Sequence, residues 1–279
     1  MFSNFRKYFL LIAISLVFSL MLSAAIAKPK WHNIIENRRF SETVRLVGSK
    51  FNNTLVRNIT IENVNGDGIF IKDVENLRIE NIIIRNIKKG SGIRLSMSGS
   101  TSNVSIINNQ LENISNNGIN VGQRSKKSVD HKNLLIAGNT IKNACTTAKK
   151  GLHHAIYVQA QDFYIVGNRI FECPDGNGIS LRSSGVVEKN VIKNTGKSGI
   201  AYYDDHKSGP SNTLRIEHNI IRDYGQDSKR NAIDILPLSN PNLSVRKFII
   251  RNNDISDSNI SIENKKLPQI REFIIENNE

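Results

Sequence analysis

The sequence predicts an all-β chain wound as a right-handed parallel β-helix, a solenoid of about eight coils. Three observations predict it. A motif of the form Φ-x-Ile-x-x-Asn-x-Ile returns along the chain, for example Val104 to Leu111, Leu134 to Ile141, Phe163 to Ile170, Leu214 to Ile221 and Phe248 to Ile255. A second motif, Gly-Ile-x-Φ, alternates with it at Gly68, Gly92, Gly118, Gly178 and Gly199, with Ala155, Ala232 and Asn259 in the same role. Both alternate apolar and polar residues with a period of two, the pattern of a half-buried strand, in segments far too short for helices.

Taken in order, residues 1–27 read as a signal peptide: Arg6 and Lys7, then an apolar run from Tyr8 to Leu22, then Ala25-Ile26-Ala27. The alternative, a retained anchor, is disfavoured because the run is short for a bilayer span and is followed by an A-x-A site. Cleavage would lower the net charge from +13 to +11, since the segment carries Arg6 and Lys7 and no acid, and no later segment is apolar enough to span a membrane. Residues 28–51 miss the repeat, and the spacing of Trp31, Ile34, Ile35, Phe40, Val44 and Leu46 permits a short N-terminal cap. Residues 52–279 carry the coils, and the last motif is cut short at Glu279, so the helix is expected to be truncated at its C-terminus.

Leucine-rich repeats need a Leu-dominated pattern and propeller blades need four strands per unit, whereas here Ile-rich strands alternate with Asn and Gly turns. Stacking such units sets each apolar side chain on its counterpart in the next coil. The recurrent Asn is expected to adopt the tight left-handed turn and to pair through its amide with the coils above and below. Gly before each Ile is expected to serve the conformation of the other corner. Asn63 and Asn81 read as early copies with the Asn one place sooner, and Asn190 as a degenerate copy. The two cysteines, Cys145 and Cys173, fall at nearly the same offset in successive coils. One sheet spacing, ~4.8 Å, suits a disulfide, although two stacked thiols would fit as well.

This Asn/Ile/Gly-Ile repeat resembles the right-handed parallel β-helices of the pectin lyase-like superfamily, over residues 52 to 279. The resemblance implies the fold and points to polysaccharide lyases, hydrolases, uronate epimerases, tailspikes and adhesins alike. A strongly basic exported protein meets acidic glycans or other anionic surfaces rather than nucleic acid, so an acidic polysaccharide is the expected partner and a secreted or periplasmic location the expected setting.

In each Gly-Ile-x-Φ strand the x residue and the one after Φ point outward. This places Phe70, Lys72, Arg94, Ser96, Asn120, Tyr157, Gln159, Ser180, Arg182, Tyr203, Asp205, Asp234, Ser261 and Glu263 on one face. Lys72, Arg94, Asn120, Gln159 and Arg182 are the candidate substrate-binding residues, with Arg suited to carboxylates and aromatic faces to sugar rings. Extended connections at residues 122–132, 143–153, 204–213, 222–230 and 236–247 centre a site on coils four to six, counted from residue 52.

Two breaks in the repeat lie there. His154 stands where Asp67, Ser91, Asn117, Asn177 and Ser198 precede the Gly motif elsewhere, and Tyr157 projects from the adjoining strand, so the pair can exchange protons with a bound sugar. Tyr203-Asp204-Asp205-His206 resembles the aromatic-Asp-Pro-His signature of alginate C-5 epimerases, with Asp205 in place of Pro and parity sending Asp205, not Asp204, outward. The resemblance implies abstraction of the proton at C5 of a uronate. Its carboxylate would be neutralised by Arg94, Arg182 or a calcium ion held by Asp204, Asp205 and Asp234. His154, His206, Tyr157 or Tyr203 would act as base or acid. A glycoside hydrolase would need paired carboxyls, for which only those aspartates offer themselves. The competing class is a non-catalytic glycan-binding or structural β-helix.

Overall fold

The computed structural model describes residues 31–122, 130–147, 151–226, 230–236, 245–255, 260–262 and 272–279. The segment expected to be a signal peptide and the outward Glu263 lie outside them. The described residues form three sheets of ten, nine and nine strands, every pairing parallel, so that each turn of chain adds one strand to each sheet. Nine complete coils result, with one strand of a tenth, Glu272–Glu276. This exceeds the expected eight because the supposed cap is itself a coil: Asn33–Glu36, Arg39–Phe40 and Val44–Val47 pair with Thr54–Arg57, Thr60–Glu62 and Ile69–Lys72. Its strands are short and its apolar spacing irregular, which hid them in the sequence.

Strand register stacks like on like. Ile93, Ile119, Ile156, Ile179, Ile200 and Ile233 follow one another in the third sheet, each fully buried. The other two sheets supply matching inward columns, such as Ile79–Ile106–Ile136–Ile165 and Ile84–Leu111–Ile141–Ile170. Each coil thus buries its apolar row only against its neighbours. Tyr202 joins this core, its hydroxyl accepting from the Val245 amide at 3.0 Å and its ring meeting Phe248 edge-on.

The turn between the first and second sheets holds a buried asparagine column, Asn109, Asn139, Asn168, Asn190, Asn219 and Asn253, that ends on Asn278. The Asn139 amide and side-chain Nδ2 both donate to Asn168 Oδ1, at 3.0 and 2.9 Å, while Nδ2 also donates to the Ile106 carbonyl. These asparagines are therefore not the left-handed residues. That role falls one place earlier, to Asn108, Gly138, Gly167, Lys189, His218 and Asn252. Asn81 takes this earlier position, leaving the ladder position to the buried Ile82, and Asn63 belongs to a different corner, where an exposed column runs Asn63–Asn86–Asn113–Asn143. A second exposed column runs Asn53–Asn76–Asn103–Asn133. The glycines of the Gly-Ile motif also have a different cause from the one expected: Gly92 and Gly118 lack positive φ, but a methyl group on either would stand 2.6 Å from the carbonyl oxygen of the next coil.

Candidate functional site

The outer row of the third sheet runs, in register, Arg45, Phe70, Arg94, Asn120, Tyr157, Ser180, Ala201, Asp234 and Ser261. Its two halves differ. In the second coil Phe70 is covered by the guanidinium groups of Arg45 and Arg94 at 4.6 and 5.2 Å, and from the third coil to the fifth Arg94, Asn120 and Tyr157 are half-buried. From the sixth coil on the same positions, Ser180, Ala201 and Asp234, are buried.

At the boundary lies a cleft of about 380 Å³. Of the residues proposed from sequence, Asn120, His154, Tyr157, Gln159, Arg182 and Tyr203 line it. Three successive coils supply its centre: His154 and Tyr157 from the fifth, Arg182 from the end of the sixth, Tyr203 from the end of the seventh. The Arg182 guanidinium is laid between two phenol rings, 4.9 Å from the centroid of Tyr157 and 3.9 Å from that of Tyr203. Arg182 also donates to Ser180 Oγ and the Leu181 carbonyl, and pairs with Asp205 at 3.1 Å. Stacking and hydrogen bonding together hold its planar fork in one orientation.

His154 stacks on Tyr157 with ring centroids 5.7 Å apart. Its backbone amide donates to Asn117 Oδ1 at 2.7 Å, and the Asn177 amide donates to its Nδ1 at 3.1 Å. A backbone N–H cannot be anything but a donor, so Nδ1 holds the lone pair and Nε2 the hydrogen. Burial, and then the charge of Arg182, keep the imidazole well below its usual protonation range. In the resting protein His154 is therefore a neutral hydrogen-bond donor at Nε2, not the base that sequence reasoning also allowed. Burial likewise pushes the Tyr157 phenol above its ordinary value, against the opposing charge of Arg182.

The remaining candidates lie elsewhere. Asp204 is buried and does not line the cleft, and Asp205 is exposed, as parity indicated. His206 is buried beside it, with Nδ1 donating to the Lys207 carbonyl and its protonation range lowered by burial. Lys72 and Arg94 sit nearer the N-terminal end of the face, paired with Asp73 and Asp67. Arg94 Nε is 3.2 Å from Asp67 Oδ2, but the angle is poor and this buried N–H makes no hydrogen bond. The calcium set does not assemble: Asp234 accepts from Ser198 and Asn231, Asp205 faces Arg182, and among the described residues no group of three acidic, His or Cys side chains is placed to hold a metal ion. These aspartates do not gather into a calcium site.

Two participants were missed in the sequence. Asn117 and Asn177 occupy the same repeat position as His154, one coil to either side, and the recurrence of polar residues there was the available clue. His131 is buried at the start of a first-sheet strand, its ring nitrogens shared with Thr101 Oγ1 and the Gly122 carbonyl, and burial lowers its pKa to about 4. It follows Asp130 with no repeat-level oddity to mark it.

Cys145 and Cys173 form a disulfide with Cα atoms 5.1 Å apart. It joins the fifth and sixth coils beside Asn116 and Asn177, behind the turn that holds His154.

The family described as right-handed β-helix region matches residues 24–141 and again 100–247. The chain belongs to that family. Among solved structures, this β-helix protein is similar to the A-module of a mannuronan C-5 epimerase of Azotobacter vinelandii, at 15% identity and a TM-score of 0.54, covering 88% of this chain and 76% of that one. A second such A-module from the same organism gives 15% identity and 0.43 over the same shares, and the Dettilon tailspike protein gives 13% and 0.47 over 79% of this chain and 43% of its own. No curated protein sequence matches. Among the described residues no helix is long and apolar enough to cross a membrane.

Proposed function

We propose that this exported β-helix protein binds an acidic polysaccharide in the third-sheet cleft and removes the proton at C5 of a bound uronate, as a lyase or a C5-epimerase. The observation that carries the reading is Arg182, a buried guanidinium fixed between Tyr157 and Tyr203 whose partner, Asp205, is an exposed carboxylate. Asp205 is the solvent-exposed member of the pair, so a uronate carboxylate can take its place on a fork that is already oriented. The shared fold of a mannuronan C-5 epimerase module and the Tyr203-Asp204-Asp205-His206 segment support the same chemistry. The disulfide supports an oxidising, secreted or periplasmic setting.

In this reading the C5 electron pair moves into the carboxylate as the base takes the proton, and Arg182 and the His154 Nε2–H face the charge that develops there. Tyr157, held neutral, is the proton donor, either to the departing O4 oxygen in a lyase or to the opposite face of C5 in an epimerase. Tyr203, which lines the cleft, is the candidate base, whereas His206 lies outside it.

A second reading, non-catalytic glycan binding, draws on one observation: the histidine that lines the cleft has its lone pair occupied by the Asn177 amide. Incubation with alginate, polygalacturonate and glycosaminoglycans, with and without calcium, separates the two. We expect an unsaturated product or an epimer shift, reduced about 100-fold in Arg182→Lys. Binding of these polymers without turnover in any mixture would leave only the second reading.

A further inference from the structure

The molecule has a second and larger cleft, about 500 Å³, on the outer face of the first sheet. Most of that face is covered by ion pairs, such as Arg57 with Glu36, Arg78 with Glu80, and both Arg215 and Arg251 with Glu217. One outer row departs from this habit. Leu135, Tyr164, Val186, Arg215 and Ile249 follow one another in register, so over the sixth to ninth coils Tyr164, Val186 and Ile249 form an aromatic and aliphatic floor that Arg215, paired with Glu217, interrupts in the eighth coil. Tyr164 is 53% exposed.

The rim is polar and fixed in place. Asp162 accepts from Ser184 Oγ and Ser211 Oγ on one oxygen and from the Ser211 amide on the other, which leaves acceptor capacity on the second oxygen. Thr213 adds a hydroxyl, and Lys247 lines the far end. A floor of Tyr164, Val186 and Ile249 crossed by one guanidinium, with hydroxyl, carboxylate and ammonium groups at its edge, is complementary to a pyranose, which has an apolar C–H face and a rim of hydroxyls. The volume falls within the range of small-ligand sites.

We propose that this groove is a carbohydrate-binding site of its own, in which a pyranose unit of a glycan stacks on Tyr164 and hydrogen-bonds to Asp162, Ser211 and Thr213. It does not depend on the cleft around Arg182, which lies on a different sheet. Neutral and acidic glycans share this chemistry, and the test separates them.

Affinity gel electrophoresis in gels containing alginate, polygalacturonate, dextran or galactomannan measures retention of the wild type, Tyr164→Ala and Arg182→Ala. Tyr164 is exposed and outside the core, and circular dichroism checks that its variant folds. We expect retention in at least one gel, a rise in Kd of about tenfold or more in Tyr164→Ala, and residual retention in Arg182→Ala. Failure of the third-sheet reading would show instead as an Arg182→Ala variant indistinguishable from wild type. The groove proposal is overturned if no gel retains the wild type or if Tyr164→Ala is retained unchanged. It is overturned equally if that variant alters only the oligomeric mass measured by light scattering, which would make the groove a contact between copies of the chain.

Discussion

His131 shows how a single buried side chain can couple stability to acidity. The unfolded chain protonates this residue near 6.5 and the folded chain only near 4, because burial penalises the charged ring. The folded state therefore keeps its full advantage above pH 6.5, loses it as the pH falls toward 4, and loses no more below that. Depressed protonation of His154 and His206 acts in the same direction. Denaturant unfolding between pH 7.5 and 4 should show His131 alone contributing on the order of 3 kcal/mol to the loss. His131→Gln should flatten the slope by that amount, and an unchanged slope would show that the residue is solvated. At this scale the sequence was uneven. His154 could be seen because it interrupts a repeat, and Tyr157 and Arg182 because parity puts them outside. The tautomer of His154 could not, since it is decided by a main-chain amide from another coil. The dispersal of Asp204, Asp205 and Asp234 was equally hidden, because neighbours in sequence or in parity need not share a face once a strand ends at Tyr202.

Among the elements, the asparagine columns separate two roles that look alike in the sequence. In the buried column Asn168 Oδ1 receives both the amide and the Nδ2 of Asn139, and its own Nδ2 serves the Ile136 carbonyl. Asn168→Ala leaves these groups buried and unpaired, so it should cost about 2–4 kcal/mol. In the exposed column Asn103 sits at φ 53° and bonds only to other asparagines. Asn103→Gly keeps that backbone and leaves the neighbouring amides to water, so its cost should stay below about 1 kcal/mol. Urea midpoints compare the two, and equal shifts would contradict the distinction. The repeat motif itself was readable because period-two alternation and the recurrent Asn are strong patterns. The first coil was not, because its strands are two to four residues long and Asn37 is all that marks its left-handed corner.

For the whole molecule, stability is local to neighbouring coils, so the disulfide should act where it lies rather than everywhere. It closes a separation of 28 residues between the fifth and sixth coils, and its reduction should cost about 3 kcal/mol. Hydrogen exchange should then quicken around residues 131–181 and leave the first three coils unaffected; a uniform change along the chain would mean that the solenoid unfolds as one unit. The cleft around Arg182 draws from five consecutive turns of the chain, the third to the seventh. That arrangement bears on descent. Because the coils are interchangeable in all but their outer residues, a lineage can gain or lose whole turns before or after this block and alter only the length of the molecule. Loss of one turn within it would remove a wall of the cleft while leaving the remainder able to stack, so a shortened descendant would be expected to keep the scaffold and forfeit the chemistry.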